Sequence, residues 1–446
     1  MLRFVVPIVL FVLPAGCSNA SEPVKPTRDG SDWPTLTGPT GDFSSPEKGI
    51  LTSWPAIGLK KVWEARLGLG YAPPVIAGGR SFHFDRFDDD ATLTARTADN
   101  GKLLWKYTYP TEYVDSYGYE PGPRACPVVD GERVYLHGVD GMLCCVSAHD
   151  GKEVWRRDTK REYHFHQNFF GVASVPLVVD DLLIVPVGGS PKGPRPVDQR
   201  DVKGDGSAIV AFDKKTGAEK YKFGDELASY SSPVLANFHG QKTVLHFARG
   251  GLIGFDPVTG KVRFTFKWRA RSMESVNAAN PVVIGDTILL TECYEKGAVM
   301  LRVTKEMKLE TVWSDEENDR REKTLLGHWC TPVADGKYLY ACSGRHESEG
   351  DVRCIEAATG KVMWVRPRMR RCTLTKIDGH ILCLSEEGTL TLFKPNPDQF
   401  DSVAVWDEKD NDDLRPPCWA PPVVSRGLLY LRGKGKLACY ELIPRQ

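Results

Sequence analysis

Five stretches of this chain spell one pattern. ARTADNGKLLW (95–105), CVSAHDGKEVW (145–155), AFDKKTGAEKY (211–221), GFDPVTGKVRF (254–264) and CIEAATGKVMW (354–364) each begin with a small residue, reach a glycine six places later and end on an aromatic four beyond it. A unit that cannot bury its own apolar face must stack on copies of itself, so this self-similarity restricts the fold before any strand is assigned. The glycines, Gly101, Gly151, Gly217, Gly260 and Gly360, follow Asp, Asn or Thr and allow the positive φ of a tight turn between strands.

With weaker copies ending at Trp313 and Trp406, the aromatics at 105, 155, 221, 264, 313, 364 and 406 step by 50, 66, 43, 49, 51 and 42 residues. Their mean, about 50, is the length of four short strands with their turns, the size of a propeller blade. Ahead of each motif stands a proline followed by two apolar runs around a turn, as in CPVVDGERVYLHG (126–138), NPVVIGDTILLTE (280–292) and PPVVSRGLLYLRG (421–433). Each reads as a hairpin with proline at a strand start, where its missing N–H costs least. No stretch sustains a helical period, so the expected class is all-β.

After Trp406 only 40 residues remain, too few for a further aromatic fourth strand, whereas GLKKVWEAR (58–66) carries Trp63 in that slot near the N-terminus. The expectation is an eight-bladed propeller of four-stranded antiparallel blades, the last closed by strands from both chain ends. Closure removes exposed sheet edges. The expected boundaries are a signal peptide over 1–17, a tether and N-terminal extension over 18–58, and one propeller domain over 59–446.

Lys+Arg 58 against Asp+Glu 58 leaves no net charge, which argues against a nucleic-acid partner. Arg3 followed by the apolar run Phe4 to Leu13 is too short to span a bilayer and reads as a signal core. Its end, Leu13-Pro14-Ala15-Gly16-Cys17, resembles a bacterial lipoprotein signal, with Pro14 where that pattern has leucine; lipidation of Cys17 is the expectation, and cleavage after Ala20 the alternative. The chain is thus expected to be exported, periplasmic or membrane-anchored in a bacterial envelope, touching the membrane only through a lipid anchor, and monomeric.

The pattern A-x-D-x-x-T-G-x-x-x-W resembles the tryptophan-docking repeat of the quinoprotein (PQQ) propeller family, which 211–217 (AFDKKTG) and 254–260 (GFDPVTG) match closely. The likeness runs over about residues 59–442. The repeat is shared by PQQ-dependent alcohol dehydrogenases, by the propeller lipoprotein of the outer-membrane assembly machine, and by many exported PQQ-binding-like repeat proteins, whose texture this chain is most similar to. It speaks for fold far more than for activity.

The adjacent pair Cys144-Cys145 tests the dehydrogenase reading, because the resembling enzymes carry a vicinal disulfide beside their cofactor. That disulfide sits in a connection, whereas the repeat places Cys145 in the small-residue slot of a strand, with Cys144 facing the other way. Cys145 is therefore expected to be a core residue, as are most of the scattered cysteines.

Propeller ligands meet the connections at one end of the central channel. Three residues before the blade prolines stand Tyr71, Arg124, Ala173, Tyr230, Ala278, Trp329 and Trp419, five of the seven being aromatic or Arg. The same connections hold Tyr117, Tyr119, His164, His166, Gln167, Asn168, Asn277, Asn280 and His328. Tyr71, Arg124, His166, Asn168, Tyr230, Asn277, His328, Trp329 and Trp419 are the candidate ligand- or partner-binding residues; the alternative is that they plug the channel and cap strands. Trp63, Trp105, Trp155, Trp313, Trp364 and Trp406, with the five glycines, are the structural repeat. His164 and His166 lack a third metal ligand, and Asp201 to Gly206 departs from a calcium loop at Lys203, so no metal site is expected.

The expected function is a non-catalytic cell-envelope binding or scaffolding module whose partner is an envelope protein or glycan, with no cofactor and no catalytic residue. The alternatives are a PQQ- and calcium-dependent alcohol or sugar dehydrogenase, implied by the resemblance, and a carbohydrate or small-ligand binding protein.

Overall fold

In a computed structural model of the chain, residues 24–166, 169–407, 409 and 414–445 are described. Their strands form eight antiparallel blades of four strands, as the repeat spacing predicts. Blade 1 is built from Val75–Ala77, Arg80–Phe87, Asp90–Thr97 and Leu103–Pro110. Blades 2 to 7 repeat that order, their first strands opening at Val128, Leu177, Val234, Val282, Val333 and Cys372. First strands of neighbouring blades touch one another, which sets them around a common axis.

Blade 8 is assembled from both ends of the ring. Val423–Ser425, Leu428–Gly433 and Lys436–Glu441 take Lys61–Arg66 as their outer strand, with Trp63 opposite Cys439. The only α-helix among the described residues is the single turn Thr159–Glu162, and none there is long and apolar enough to cross a membrane.

The repeat works between blades rather than within them. Gly151 takes φ +72, and a Cβ there would lie 2.5 Å from the ring of Trp105 of the preceding blade. Trp63 likewise covers Gly101, Trp155 covers Gly217, Tyr221 covers Gly260 and Trp313 covers Gly360. Indole N–H groups fasten the contact: Trp63 donates to the Ala98 carbonyl at 2.8 Å and Trp313 to that of Ala357 at 2.8 Å. Seven outer strands carry a register shift beside their aromatic, a bulge that re-aims the ring toward the next blade; in blade 7 the shift falls at Val403, with Ala404 opposite Leu392 and Trp406 two residues further on.

Cys144 and Cys145 lie in the third strand of blade 2, each fully buried. Cys145 sits between Tyr135 and Trp155, while the Cys144 thiol accepts from Tyr107 of blade 1 at 3.5 Å. The two thiols therefore face opposite ways, and all eleven described cysteines are free. Asp201 to Gly206 belongs to the connection between the second and third strands of blade 3.

Residues ahead of the ring pack against its base. Trp33 is fully buried and bridges Ile76, Val129 donates to the Pro34 carbonyl, and Ser44–Ser45 pairs in parallel with Cys372–Ile377 of blade 7. The segment between them thus runs from blades 1 and 2 to blade 7 across the channel. Arg28 completes the attachment through an ion pair with Glu441 at 2.5 Å. Cys17 and the signal segment lie outside the described residues.

Candidate functional site

Each first strand begins at one end of the ring, and the residue three places before the usual proline projects there. Tyr71, Arg124, Ala173, Tyr230, Ala278, Trp329 and Trp419 all border one axial cavity of about 250 Å³. Arg371 of blade 7 borders it too, standing three residues before Leu374, which replaces the proline of the other blades. Eight blades thus contribute one half-buried side chain each. Leu36 and Phe43, from the segment crossing the base, line the same cavity and so contribute to its floor.

The rings form an arc. Tyr230 lies 5.6 Å from Phe170, Phe170 5.3 Å from Tyr119, Tyr119 5.8 Å from Trp419, and Trp419 5.3 Å from Trp329, which in turn meets His328 at 4.9 Å. Tyr71 packs on Trp419 at 4.7 Å. Such tilted contacts suit the ring quadrupoles and hold large, stiff surfaces in place.

Two guanidiniums are woven into this arc. Arg371 lies 4.8 Å from the Trp329 ring and 5.6 Å from that of Trp419, and it grips Glu386 through Nε at 2.9 Å. Burial pushes the Glu386 carboxyl up, but hydrogen bonds from Arg371 and the Trp419 indole outweigh it and hold the group below its ordinary value. Arg124 lies over Tyr71 at 5.6 Å and pairs with the buried Asp115 at 2.7 Å. Both cations are fixed from behind by carboxylates that do not border the cavity, and among the described residues no Asp or Glu lines its wall.

Several groups there are buried without a partner among the described residues: the Trp329 indole N–H, the Asn280 amide nitrogen and His328 Nδ1. Burial, aided by Arg371 and Arg345, pushes His328 down to about 3, so its imidazole is neutral at ordinary pH. Aromatic walls, unpartnered N–H donors and guanidinium faces together favour a guest with an apolar or aromatic body and acceptor oxygens.

The remaining candidates sit elsewhere. The Asn277 side chain donates to the Ala248 carbonyl at 2.7 Å and its backbone carbonyl receives the Tyr230 and Ser231 N–H groups, which fixes Tyr230 at the cavity. His166 borders recesses beside the ring, with His164 in one of them. Gln167 and Asn168 lie outside the described residues. Among the described residues no group of three or more His, Cys, Asp or Glu is placed to hold a metal ion. The sequence reading missed Arg371, Leu36 and Phe43; only Arg371 had a signal, its alignment with the other seven ring positions.

A family model described as outer membrane protein assembly factor BamB matches residues 58–193 and 171–366. The quinohemoprotein alcohol dehydrogenase ADH-IIG of Pseudomonas putida is 25% identical over 170 residues, a stretch covering 36% of this chain and only 21% of that enzyme's length. Among solved structures, BamB from Moraxella catarrhalis aligns with a TM-score of 0.58 at 14% identity, over 87% of this chain and 99% of that one. The quinohemoprotein alcohol dehydrogenase from Comamonas testosteroni aligns with a TM-score of 0.52 at 13% identity, over 93% of this chain and 81% of that one. At such identities these structural likenesses speak to the fold alone.

Proposed function

This chain belongs to the propeller family whose model is described as outer membrane protein assembly factor BamB, and from that premise we propose that it is a non-catalytic binding module of a bacterial cell envelope. The axial cavity and its aromatic mouth capture an oxygen-bearing group presented by an envelope protein or glycan. One observation carries this reading: eight blades each place a side chain around one cavity whose described wall has aromatic faces and N–H donors and, among the described residues, no carboxylate. Such a wall offers contact and hydrogen bonds, and burial makes its His328 imidazole a weak base.

The second reading, a PQQ- and calcium-dependent dehydrogenase, is favoured by the 25% identical stretch and by guanidiniums beside indoles. When bound, PQQ would supply redox chemistry. Calcium takes roughly six to eight oxygen ligands, and the described residues of the cavity wall contribute no carboxylate. The side chains present do not fit that metal, and no reaction step is assigned.

One experiment separates the readings. Purified protein is given PQQ and Ca²⁺ and followed for quinone absorbance and for dye reduction with alcohols or aldose sugars, while immobilised protein is used to capture envelope components. Capture that fails when the cavity is altered, with no dye reduction, supports the module. Sustained dye reduction overturns it.

A further inference from the structure

Away from the axis, one buried cation forms no ion pair among the described residues. Arg249 follows the second strand of blade 4 and is only 6% exposed. Its Nε has no partner among the described residues, its Nη2 reaches only the Met273 carbonyl at 3.4 Å, and its guanidinium lies 5.4 Å from the Phe169 ring. Burial, with a second cation, Arg269, nearby, lowers its pKa to about 10. An uncompensated buried charge is strongly destabilising, so a group of opposite sign is expected to complete it.

The surroundings fit such a group. Arg249 borders a recess of about 30 Å³ shared with His166 and Arg195, and no carboxylate lines it among the described residues. That volume holds about two waters' worth of atoms, the size of a carboxylate or phosphoryl head. On its other side Arg249 borders an open cleft of about 460 Å³, which gives access from solvent. Asp225 and Glu226 also line that cleft, but neither forms an ion pair with Arg249: Asp225 accepts from the Gly206 N–H at 2.8 Å and Glu226 from that of Gly250 at 2.8 Å.

We propose that the recess between blades 3 and 4 is a binding site for a small oxyanion, a carboxylate or phosphoryl group, seated on Arg249 with Arg195 at its rim. The site is separate from the axial cavity and stands whether or not that cavity captures a partner. A planar guanidinium presents paired donors to either oxyanion.

The test uses the whole protein with inorganic phosphate, acetate and chloride at matched ionic strength. Phosphate or acetate is expected to raise the melting temperature by several degrees over chloride, and the larger shift identifies the preferred oxyanion. In Arg249→Gln the shift disappears, while the anion-free protein is no less stable than the parent because a buried charge has been removed. Arg195→Ala, at an exposed position, tests the same site without touching the core; it should weaken anion binding several-fold and leave the anion-free melting temperature unchanged. An equal response to all three anions, or an undiminished phosphate or acetate shift in both variants, overturns the proposal.

Discussion

The indole of Trp406 lies across Gly58, where a Cβ would stand 2.1 Å from its Cε2. Blade 7 therefore docks onto the turn leading into the closing strand, with Trp406 opposite Leu390 while Ala404 fills the slot that holds the ring in other blades. Gly58 also takes φ +86, which an L side chain rarely adopts. Gly58→Ala is expected to destabilise the protein by about 1–3 kcal/mol, and Trp406→Ala by about 3–5 kcal/mol. Urea unfolding checks both; a midpoint unchanged in Trp406→Ala would refute docking at the seam.

Trp329 and Trp419 are half-buried at the mouth rather than sealed in the core. Trp329→Ala with Trp419→Ala is expected to weaken partner capture by roughly tenfold or more, as for aromatic hot spots, while the melting temperature barely moves. A large stability loss with capture intact would instead make these rings a plug.

The cysteines should behave as inert hydrophobes. Burial pushes the thiols of Cys144, Cys145 and Cys418 up to about 12, so they stay protonated at pH 8. The eleven described thiols should resist dithionitrobenzoate in native protein and react after unfolding. A Cys144–Cys145 disulfide in non-reduced peptides, read by mass spectrometry, would contradict the strand geometry.

Acid should weaken the ring. Burial pushes His83, His246 and His328 down to about 3 and His137 down to about 4. The unfolded chain takes up these protons near pH 6.5, the folded chain only near pH 3 to 4, so stability is full above that upper value and falls as pH drops between them. Each histidine contributes a slope of at most about 1.4 kcal/mol per pH unit. Urea midpoints at pH 7 and pH 5 should differ accordingly, and His246→Phe should reduce the difference.

What could be read from the sequence followed from chemistry that is local along the chain. Gly151 and Trp155 announce a turn and a docking ring within a few residues of each other, so repeat, blade count and seam were all legible. The axial ring was legible wherever a proline marked the strand start, and Arg371 escaped because Leu374 replaced it. Contacts made across blades left no such trace. Nothing near Leu36 or Phe43 has a period, and the carboxylates behind Arg371 and Arg124 stand 15 and 9 residues away in connections outside the repeat pattern. The bulges beside the aromatics also went unseen, since an extra residue in a strand alters no pattern of residue types. For Arg249, burial is decided by neighbours distant in sequence.

The segment joining Trp33 to Ser45 gives the molecule a direction. Lys25 to Arg28 lie on the face opposite the aromatic mouth, beside Gly79 and Asp99 in the turns beneath the ring, with Arg28 paired to Glu441. Anything that holds the protein by that leading stretch would turn its open side outward, like a cup fastened by its foot.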